Sequence, residues 1–127
     1  VMAAAVADFR PAAASATKIK RGDSTSMELS LVANPDILAT VGAARSGKRP
    51  YLVGFALETG ADLVALARTK LTGKKVDMVV ANRADVAFEG DDNEATLVTH
   101  DDAESLPRMS KRDLADRILD VISGELT

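Results

Sequence analysis

Three short segments of the chain are apolar at almost every position, and they constrain its fold more than any other feature. They are VMAAAV at 1–6, YLVGFA at 51–56 and VDMVVAN at 76–82. A continuous apolar run of this length suits a strand covered on both faces, as in a parallel sheet flanked by helices. MELSLV, at 27–32, alternates apolar and polar residues and predicts a half-buried strand. ATLVT, at 95–99, predicts a short strand at a sheet edge or in a hairpin.

Helical patterns separate these strands. NPDILATVGAARSG places Asn34 as an N-cap, Pro35 at the first helical position and Asp36 in the first turn. ETGADLVALARTKLTG carries apolar residues at helical spacing, with Gly73 as the predicted C-cap. The segment LADRILDVI follows the capping pattern SKRD and predicts a terminal amphipathic helix. This order of elements predicts an α/β fold with a mostly parallel sheet.

The composition narrows the classes of function. A chain of 127 residues fits a single domain, and 46% hydrophobic residues can fill a core. The net charge of −3 argues against a basic face that binds nucleic acid or a membrane surface. With no cysteine and one histidine, the chain has no disulfide, no thiolate nucleophile and no cysteine or histidine metal cluster. No apolar run approaches the roughly 20 residues of a membrane span, and we expect a cytoplasmic protein.

Polar residues follow the predicted strands at their carboxyl ends. Asp8 follows the first strand, and Asn34 follows the alternating one. Glu58 and Asn82 follow the other two apolar strands. Each alone is ordinary loop polarity, but open parallel sheets bind ligands beyond this edge, so the four together favour a ligand site. Phe55 fits either a core position or a strand end where it stacks on a base.

Two groups of cations suit an anionic ligand. Lys18 and Lys20, in KIKR, point to the same side of an extended segment, and Lys70 and Lys74 lie one helical turn apart. The first group also fits an exposed strand end, and the second a solvated helix terminus. If they are functional, the first group meets an anionic substrate and the second grips a polyphosphate. Because the sequence has neither a GxGxxG pattern nor a P-loop, lysines and helix N-termini would have to hold any nucleotide.

Six stretches, in order, resemble phosphopantothenoylcysteine synthetase, the C-terminal ligase domain of the bacterial bifunctional coenzyme A biosynthesis proteins. They are AAAVADFRPA, KIKR, LVANPDIL, RPYLVGFALET, ARTKLTGKKVDMVVAN and FEGDDNEATLV. The resemblance implies a Rossmann-like three-layer fold with a short antiparallel or lid element, in a homodimer. Residues 1–127 would be a single ligase domain without its N-terminal strand and glycine-rich turn. A decarboxylase domain would precede it in the full-length protein.

The resemblance also implies a reaction. CTP, with Mg²⁺, activates the carboxylate of 4′-phosphopantothenate as an acyl-cytidylate, and cysteine then displaces CMP. Lys18 is implied to act on this intermediate and Ala4 to lie beside it. The residues implied to bind CTP are Asp8, Lys18, Asn34, Pro35, Asp36, Ile37, Phe55, Lys70 and Lys74. Among these, Phe55 would pack by the cytosine, and the last two lysines would hold the triphosphate.

Two other classes of function stay open from the residues alone. One is a nicotinamide-binding half-domain of a dehydrogenase, against which the missing glycine pattern weighs. The other is a non-catalytic nucleotide-binding or interaction α/β domain, which composition alone would favour. The six motifs in order favour the ligase. The sequence predicts no metal-ligand set within the chain.

Overall fold

The computed structural model describes residues 6–23, 25–58, 62–83 and 92–127. The chain divides into two compact units, Val1–Asp36 and Ile37–Thr127. The predicted strand VMAAAV falls, up to residue 5, outside the described residues. Within the described ranges, no helix is both long enough and apolar enough to cross a membrane.

The first unit contains a two-stranded antiparallel ribbon. Strand β1 (Phe9–Pro11) pairs with β2 (Leu31–Ala33) along their whole length. Both strands are exposed, and no described residue of this unit is buried. The prediction of a half-buried strand over MELSLV is therefore wrong, because only its last two residues enter β2 and no face of the ribbon is covered. The ribbon is the short antiparallel element that the sequence led us to expect.

The second unit is built from three helices and six strands in the described residues. In chain order these are α1 (Ile37–Ala44), β3 (Val53–Glu58), α2 (Leu63–Lys74), β4 (Met78–Arg83), β5 (Asp92–Asn93), β6 (Ala95–Thr99), β7 (Ala103–Ser105), β8 (Met109–Ser110) and α3 (Lys111–Leu126). Four strands form one sheet in the order β3-β4-β6-β7, and β5 pairs separately with β8.

The four-stranded sheet is mixed. β3 and β4 are parallel, whereas β4–β6 and β6–β7 are antiparallel. β6 forms the predicted hairpin with β7, but it lies inside the sheet rather than at an edge. The α/β class predicted from the sequence is confirmed, and the described strands include one parallel β3–α2–β4 unit.

Helices cover the two faces of this sheet. On one face of β4, Val79 and Ala81 pack with residues of α1 and α2. On the other face, Met78 and Val80 pack with residues of α3, as the period of two along a strand requires. The first core contains Leu52, Ala56, Ala67, Leu71, Val76, Val79, Ala81 and Val98. The second contains Met78, Val80, Ala95, Leu97, Leu106, Leu114 and Ile118. The result is the three-layer arrangement expected of a Rossmann-like domain.

Helix α1 begins later than the sequence predicted. It starts at Ile37, so Asn34 is not its N-cap, and neither Pro35 nor Asp36 lies in its first turn. The side-chain amide of Asn34 is occupied within the ribbon, where it donates to the carbonyl of Ala7 at 2.7 Å. Its side-chain oxygen, the atom that would cap a helix, accepts from the guanidinium of Arg10 at 2.9 Å, so both ends of the amide are held by the ribbon.

Helix α2 ends beyond its predicted cap. Gly73 lies inside the helix, and Lys75 adopts the left-handed conformation with φ of 53°. The N–H of Lys75 donates to the carbonyl of Thr72 at 3.2 Å, and the N–H of Val76 donates to that of Leu71 at 3.1 Å. This is a Schellman ending, which is stabilised by apolar contact across the turn. Both Leu71 and Val76 are buried in the first core, so tertiary packing extends the helix past the glycine.

A small half-buried network joins the loop before β3 to the start of β4. The guanidinium of Arg45 donates to the carboxylate of Asp77 and, at 2.9 Å, to the carbonyl of Pro50. The same carboxylate accepts the N–H of Leu52 at 2.6 Å. The Arg45 and Asp77 side chains are only 12% and 20% exposed, so this charge pair is both satisfied and largely removed from water. It anchors the amino end of the parallel strand pair.

Candidate functional site

The carboxyl edge of the parallel strands is polar. Leu57 of β3 is in register with Asn82 of β4, and Glu58 with Arg83. The amide of Asn93, in β5, donates to the Asn82 side-chain oxygen at 3.0 Å. Two of the four polar residues predicted to share a rim, Glu58 and Asn82, therefore lie on neighbouring strands at one edge. This is the edge at which open α/β sheets bind ligands.

Lys70 of α2 reaches this edge through an ion pair. Its ammonium lies 2.5 Å from a carboxylate oxygen of Glu58. Long side chains in a helix point back toward the helix N-terminus, which explains how a lysine in the third turn of α2 meets the end of β3. The Lys70 side chain is 42% exposed and that of Glu58 is 18% exposed. The cation thus stays open to solvent while its carboxylate partner is mostly covered.

Lys74 follows Lys70 by one helical turn, as predicted, and is likewise half-buried. Its backbone carbonyl lies against Gly42 of α1, where a Cβ atom would come within 2.0 Å of the oxygen. This close approach packs α1 onto the C-terminal part of α2. Lys70 and Lys74, the two lysines implied to hold a triphosphate, thus lie on one helix, which covers the face of the sheet that packs in the first core.

Phe55 lies on the other face of the sheet. It alternates with Ala56, which packs in the first core, and its own side chain is 66% exposed. The core position considered for Phe55 is therefore wrong. Its exposed ring can stack on a planar ligand, although it does not share a face with Lys70. A nucleotide could meet both side chains only by lying across the carboxyl edge.

The first unit holds Asp8 and Asn34 together. The N–H of Asn34 donates to the Asp8 carbonyl at 2.8 Å, which continues the ribbon by one pair. The guanidinium of Arg10 donates to the Asn34 side-chain oxygen at 2.9 Å and to the Ala33 carbonyl at 3.1 Å. Arg10 was not singled out in the sequence, because its partner Asn34 lies 24 residues away and no local pattern indicates the contact. It fixes the orientation of the Asn34 amide.

Lys18 lies in an exposed, irregular segment of the first unit. The structure assigns no strand to residues 18–21, so the strand expected over KIKR is wrong, because the segment has no pairing partner among the described residues. The cations beside it border a shallow depression in the surface. This depression is lined by Ile19, Lys20, Arg21, Thr25, Ser26 and Met27.

The remaining implied residues are not placed in one site by the structure. Ala4 lies outside the described residues. Pro35 and Asp36 are exposed at the end of the first unit, whereas Ile37 opens the second. Among the described ranges, no three His, Asp or Glu side chains are grouped so as to hold a metal ion.

Helices on both faces of a sheet, together with a polar carboxyl edge, define a Rossmann-like three-layer domain. A family model described as the DNA/pantothenate metabolism flavoprotein C-terminal domain matches residues 1–126. The chain belongs to this family. The resemblance found in the sequence, to the C-terminal domain of the bifunctional coenzyme A biosynthesis proteins, is thereby confirmed.

Two curated relatives are both named coenzyme A biosynthesis bifunctional protein CoaBC. The chain is 40% identical over 130 residues to the protein from Vibrio cholerae and 46% identical over 136 residues to that from Mycolicibacterium smegmatis. Each alignment covers 99% of this chain but only 32% and 33% of the respective relatives. The chain thus spans about a third of the length of these relatives and corresponds to one part of them.

Two solved structures share the fold. The C-terminal domain of a coenzyme A biosynthesis bifunctional protein CoaBC superposes with a TM-score of 0.72 at 30% identity, over 97% of this chain and 52% of that one. The DNA/pantothenate metabolism flavoprotein from Streptococcus pneumoniae gives a TM-score of 0.71 at 22% identity, over 96% and 58%. The second likeness supports the fold alone, whereas the first agrees with the family.

Proposed function

We propose that this chain acts in coenzyme A biosynthesis as part of a CTP-dependent phosphopantothenate–cysteine ligase. The observation that carries the proposal is the pair of lysines on α2, one of which reaches the carboxyl edge of the parallel strands at Glu58. A triphosphate needs cations at the ligand edge of the sheet, and Lys70 supplies one there without a glycine-rich loop. Membership of the family and the CoaBC relatives support the choice of pathway.

The proposed reaction has two steps. The carboxylate of 4′-phosphopantothenate attacks the α-phosphorus of CTP, forms an acyl-cytidylate and releases pyrophosphate. The amine of cysteine then attacks the acyl carbon, loses a proton, forms the amide and expels CMP. Because the substrate carboxylate is the nucleophile of the first step, that step needs no cysteine or histidine nucleophile, in keeping with a chain that has no cysteine and one histidine.

The cations of the chain would neutralise charge in the first step. An anionic carboxylate approaches an anionic phosphate, and negative charge then moves onto the leaving pyrophosphate. Lys70 and Lys74 would hold the outer phosphates, where that charge accumulates. Lys18, exposed on the first unit, would contact the acyl-cytidylate, Asp8 and Asn34 the nucleotide, and Phe55 the cytosine ring. Ala4 would lie beside the intermediate.

Mg²⁺ fits this scheme as a companion of the nucleotide. Proteins commonly hold it through one or two carboxylates, with phosphate oxygens and water completing the shell. The donor set of the described residues suits that mode rather than an all-protein cage, because its carboxylates are not grouped in threes. Asp8 and Asp36 are exposed carboxylates that could contribute. The ion would supply charge neutralisation on the triphosphate.

Two partners belong to the proposal. A second copy of the chain would cover the ribbon unit, whose described residues include seven exposed large apolar side chains and none that is buried. They are Val6, Phe9, Ile19, Met27, Leu29, Leu31 and Val32. A two-stranded ribbon of this kind is marginally stable in water without such cover. Sedimentation equilibrium tests this, since a monomer throughout the micromolar range would contradict the homodimer. A decarboxylase domain would precede the ligase in the full-length protein.

Calorimetric titration with CTP, CMP, ATP and NADH, each with Mg²⁺, tests the function. We expect selective binding of CTP. Lys70→Met and Lys74→Met should each weaken CTP by about tenfold, the scale of a charge-assisted hydrogen bond, and leave CMP nearly unchanged. Lys48→Met, an exposed lysine in the loop before β3, serves as the matched control.

The outcomes separate the candidate functions. Equal losses of CTP and CMP would contradict the role of the two lysines at the outer phosphates. A preference for NADH would favour a dehydrogenase half-domain. A folded chain that binds none of the four nucleotides would favour a non-catalytic interaction domain and refute the ligase as proposed.

A further inference from the structure

Glu58 forms an ion pair with Lys70, the cation that the proposed function assigns to the phosphates of a ligand. Its carboxylate lies 2.5 Å from the Lys70 ammonium. Glu58 lies at the last position of β3, and only 18% of its side chain is exposed, so its carboxylate is held close to this edge of the sheet. An ammonium has three N–H donors, and a carboxylate at this distance takes one of them. A polyphosphate at the edge must share Lys70 with Glu58 or displace it.

The ion pair also changes the net charge that an arriving anion meets. Lys70 alone would present one positive charge at the edge, whereas Lys70 with Glu58 presents none. Phosphate oxygens that approach the ammonium also approach the carboxylate, because the two groups are in hydrogen-bond contact. Repulsion between like charges acts over this distance with little screening by salt.

We propose that Glu58 is a built-in counterion that competes with polyphosphate for Lys70 and limits how tightly the site holds its anions. This inference rests on the proposed function and deepens it. In the proposed reaction the pyrophosphate product must leave before the site can be used again. A carboxylate that recaptures Lys70 lowers the affinity for pyrophosphate and favours its release. Glu58 is thus a positioning residue that acts through Lys70.

A purely structural role for the ion pair makes a different prediction. If Glu58 only ties α2 to β3, then its loss lowers thermal stability and leaves anion affinity unchanged or weaker. If it is a competing counterion, its loss strengthens anion binding, and only while Lys70 is present. The sign of the effect and its dependence on Lys70 therefore separate the two roles.

The experiment is a double-mutant cycle on anion affinity. Calorimetry measures the binding of inorganic pyrophosphate and of CTP, at constant Mg²⁺, to the wild type, Glu58→Gln, Lys70→Met and the double variant. We expect Glu58→Gln to bind pyrophosphate about three- to fivefold more tightly, the range that a partly exposed ion pair supports. Lys70→Met should bind more weakly, and the double variant should match Lys70→Met.

Two further variants serve as controls. Glu58→Asp keeps the charge on a shorter side chain and should retain most of the wild-type affinity. Glu104→Gln removes one carboxylate from another ion pair, in which Arg117 donates to both oxygens of Glu104 at 2.8 Å. Glu104 lies in β7, at the other end of the strand order from β3 and Glu58, so its loss should leave pyrophosphate binding unchanged. Circular dichroism establishes that each variant is folded.

Each outcome bears on the inference. Unchanged or weaker binding by Glu58→Gln overturns it, as does equal tightening in the Lys70→Met background. Normal CTP binding without tightening refutes the inference and leaves the proposed function intact. If Glu58→Gln binds pyrophosphate more tightly than the wild type but neither protein binds CTP, the inference is supported and the nucleotide assignment is refuted. A wild type that binds neither anion refutes both.

Discussion

Replacing Gly42 with alanine tests the contact between α1 and α2 that supports Lys74. The new Cβ would lie 2.0 Å from the Lys74 carbonyl oxygen and 3.1 Å from its carbonyl carbon. Cβ atoms essentially never come within 3.0 Å of a non-bonded heavy atom of another residue, so α1 and α2 must separate by about 1 Å. The obstructing atoms are backbone, so no side-chain rotation can relieve the clash.

The expected loss of stability follows from two opposing terms. Overpacking costs about 1–3 kcal/mol, and a backbone clash of this depth belongs at the upper end of that range. Alanine is favoured over glycine within a helix by about 1 kcal/mol. The net destabilisation of Gly42→Ala is therefore about 2 kcal/mol. For a domain of this size, that lowers the melting temperature by roughly 8 °C.

Thermal and urea unfolding followed by circular dichroism measure this effect. Gly73→Ala is the matched control, because it lies in α2 and nothing stands within 4 Å of its added Cβ. We expect the control to gain about 0.5–1 kcal/mol from helix propensity. If Gly42→Ala is also stabilised, the close approach of the two helices is refuted. If the contact is real, Gly42→Ala should also weaken CTP binding through the displaced Lys74.

Two further predictions concern stability. Ser110 caps α3 by accepting the N–H of Asp113 at 3.0 Å, so Ser110→Ala should cost about 1 kcal/mol in urea unfolding. An equal loss for Ser123→Ala, an exposed serine inside the same helix, would argue against capping. Burial raises the pKa of Tyr51 above its ordinary value of 10.0, and the charges of Glu125 and Asp77 raise that pKa further. Because the folded pKa is the higher one, the contribution to stability is complete below the unfolded pKa and is lost as pH rises through the folded pKa. Urea unfolding between about pH 9 and 11 should therefore show a steeper fall in stability for the wild type than for Tyr51→Phe, and parallel profiles would contradict this.

Local sequence chemistry predicted some helix ends and not others. The cap of α3 was predicted because Ser110 and Asp113 need only each other. The cap of α2 was not, because burial of Val76 in the core carries the helix past Gly73 to a left-handed Lys75. Asn34 is a residue type that often caps helices, but its side chain is hydrogen-bonded within the ribbon instead, to Arg10 and Ala7. A cap can be predicted where its partners are local, and not where distant residues compete for it.

The position of Phe55 shows the same limit for strands. Its segment is apolar throughout, so the sequence predicts burial on both faces. Among the strands that the structure describes, β3 lies at one end of the four-stranded sheet, and only its Gly54 and Ala56 are buried. Strand β7 was not predicted from the sequence. Its three residues, Ala103–Ser105, show too little apolar pattern to indicate a strand, and it pairs with β6 as the second strand of a hairpin.

The amino-acid sequence by itself determined the α/β class, the apolar strand β4, the terminal helix and the family, because these depend on patterns along the chain. Tertiary structure alone decided which charges meet. Glu58 and Lys70 are 12 residues apart, and a strand, a turn and a helix must all form before their side chains come into contact. The pairing of Arg45 with Asp77 likewise needs the loop before β3 to pack against β4. Electrostatic pairing depends on distance in space, and only the packed fold sets that distance.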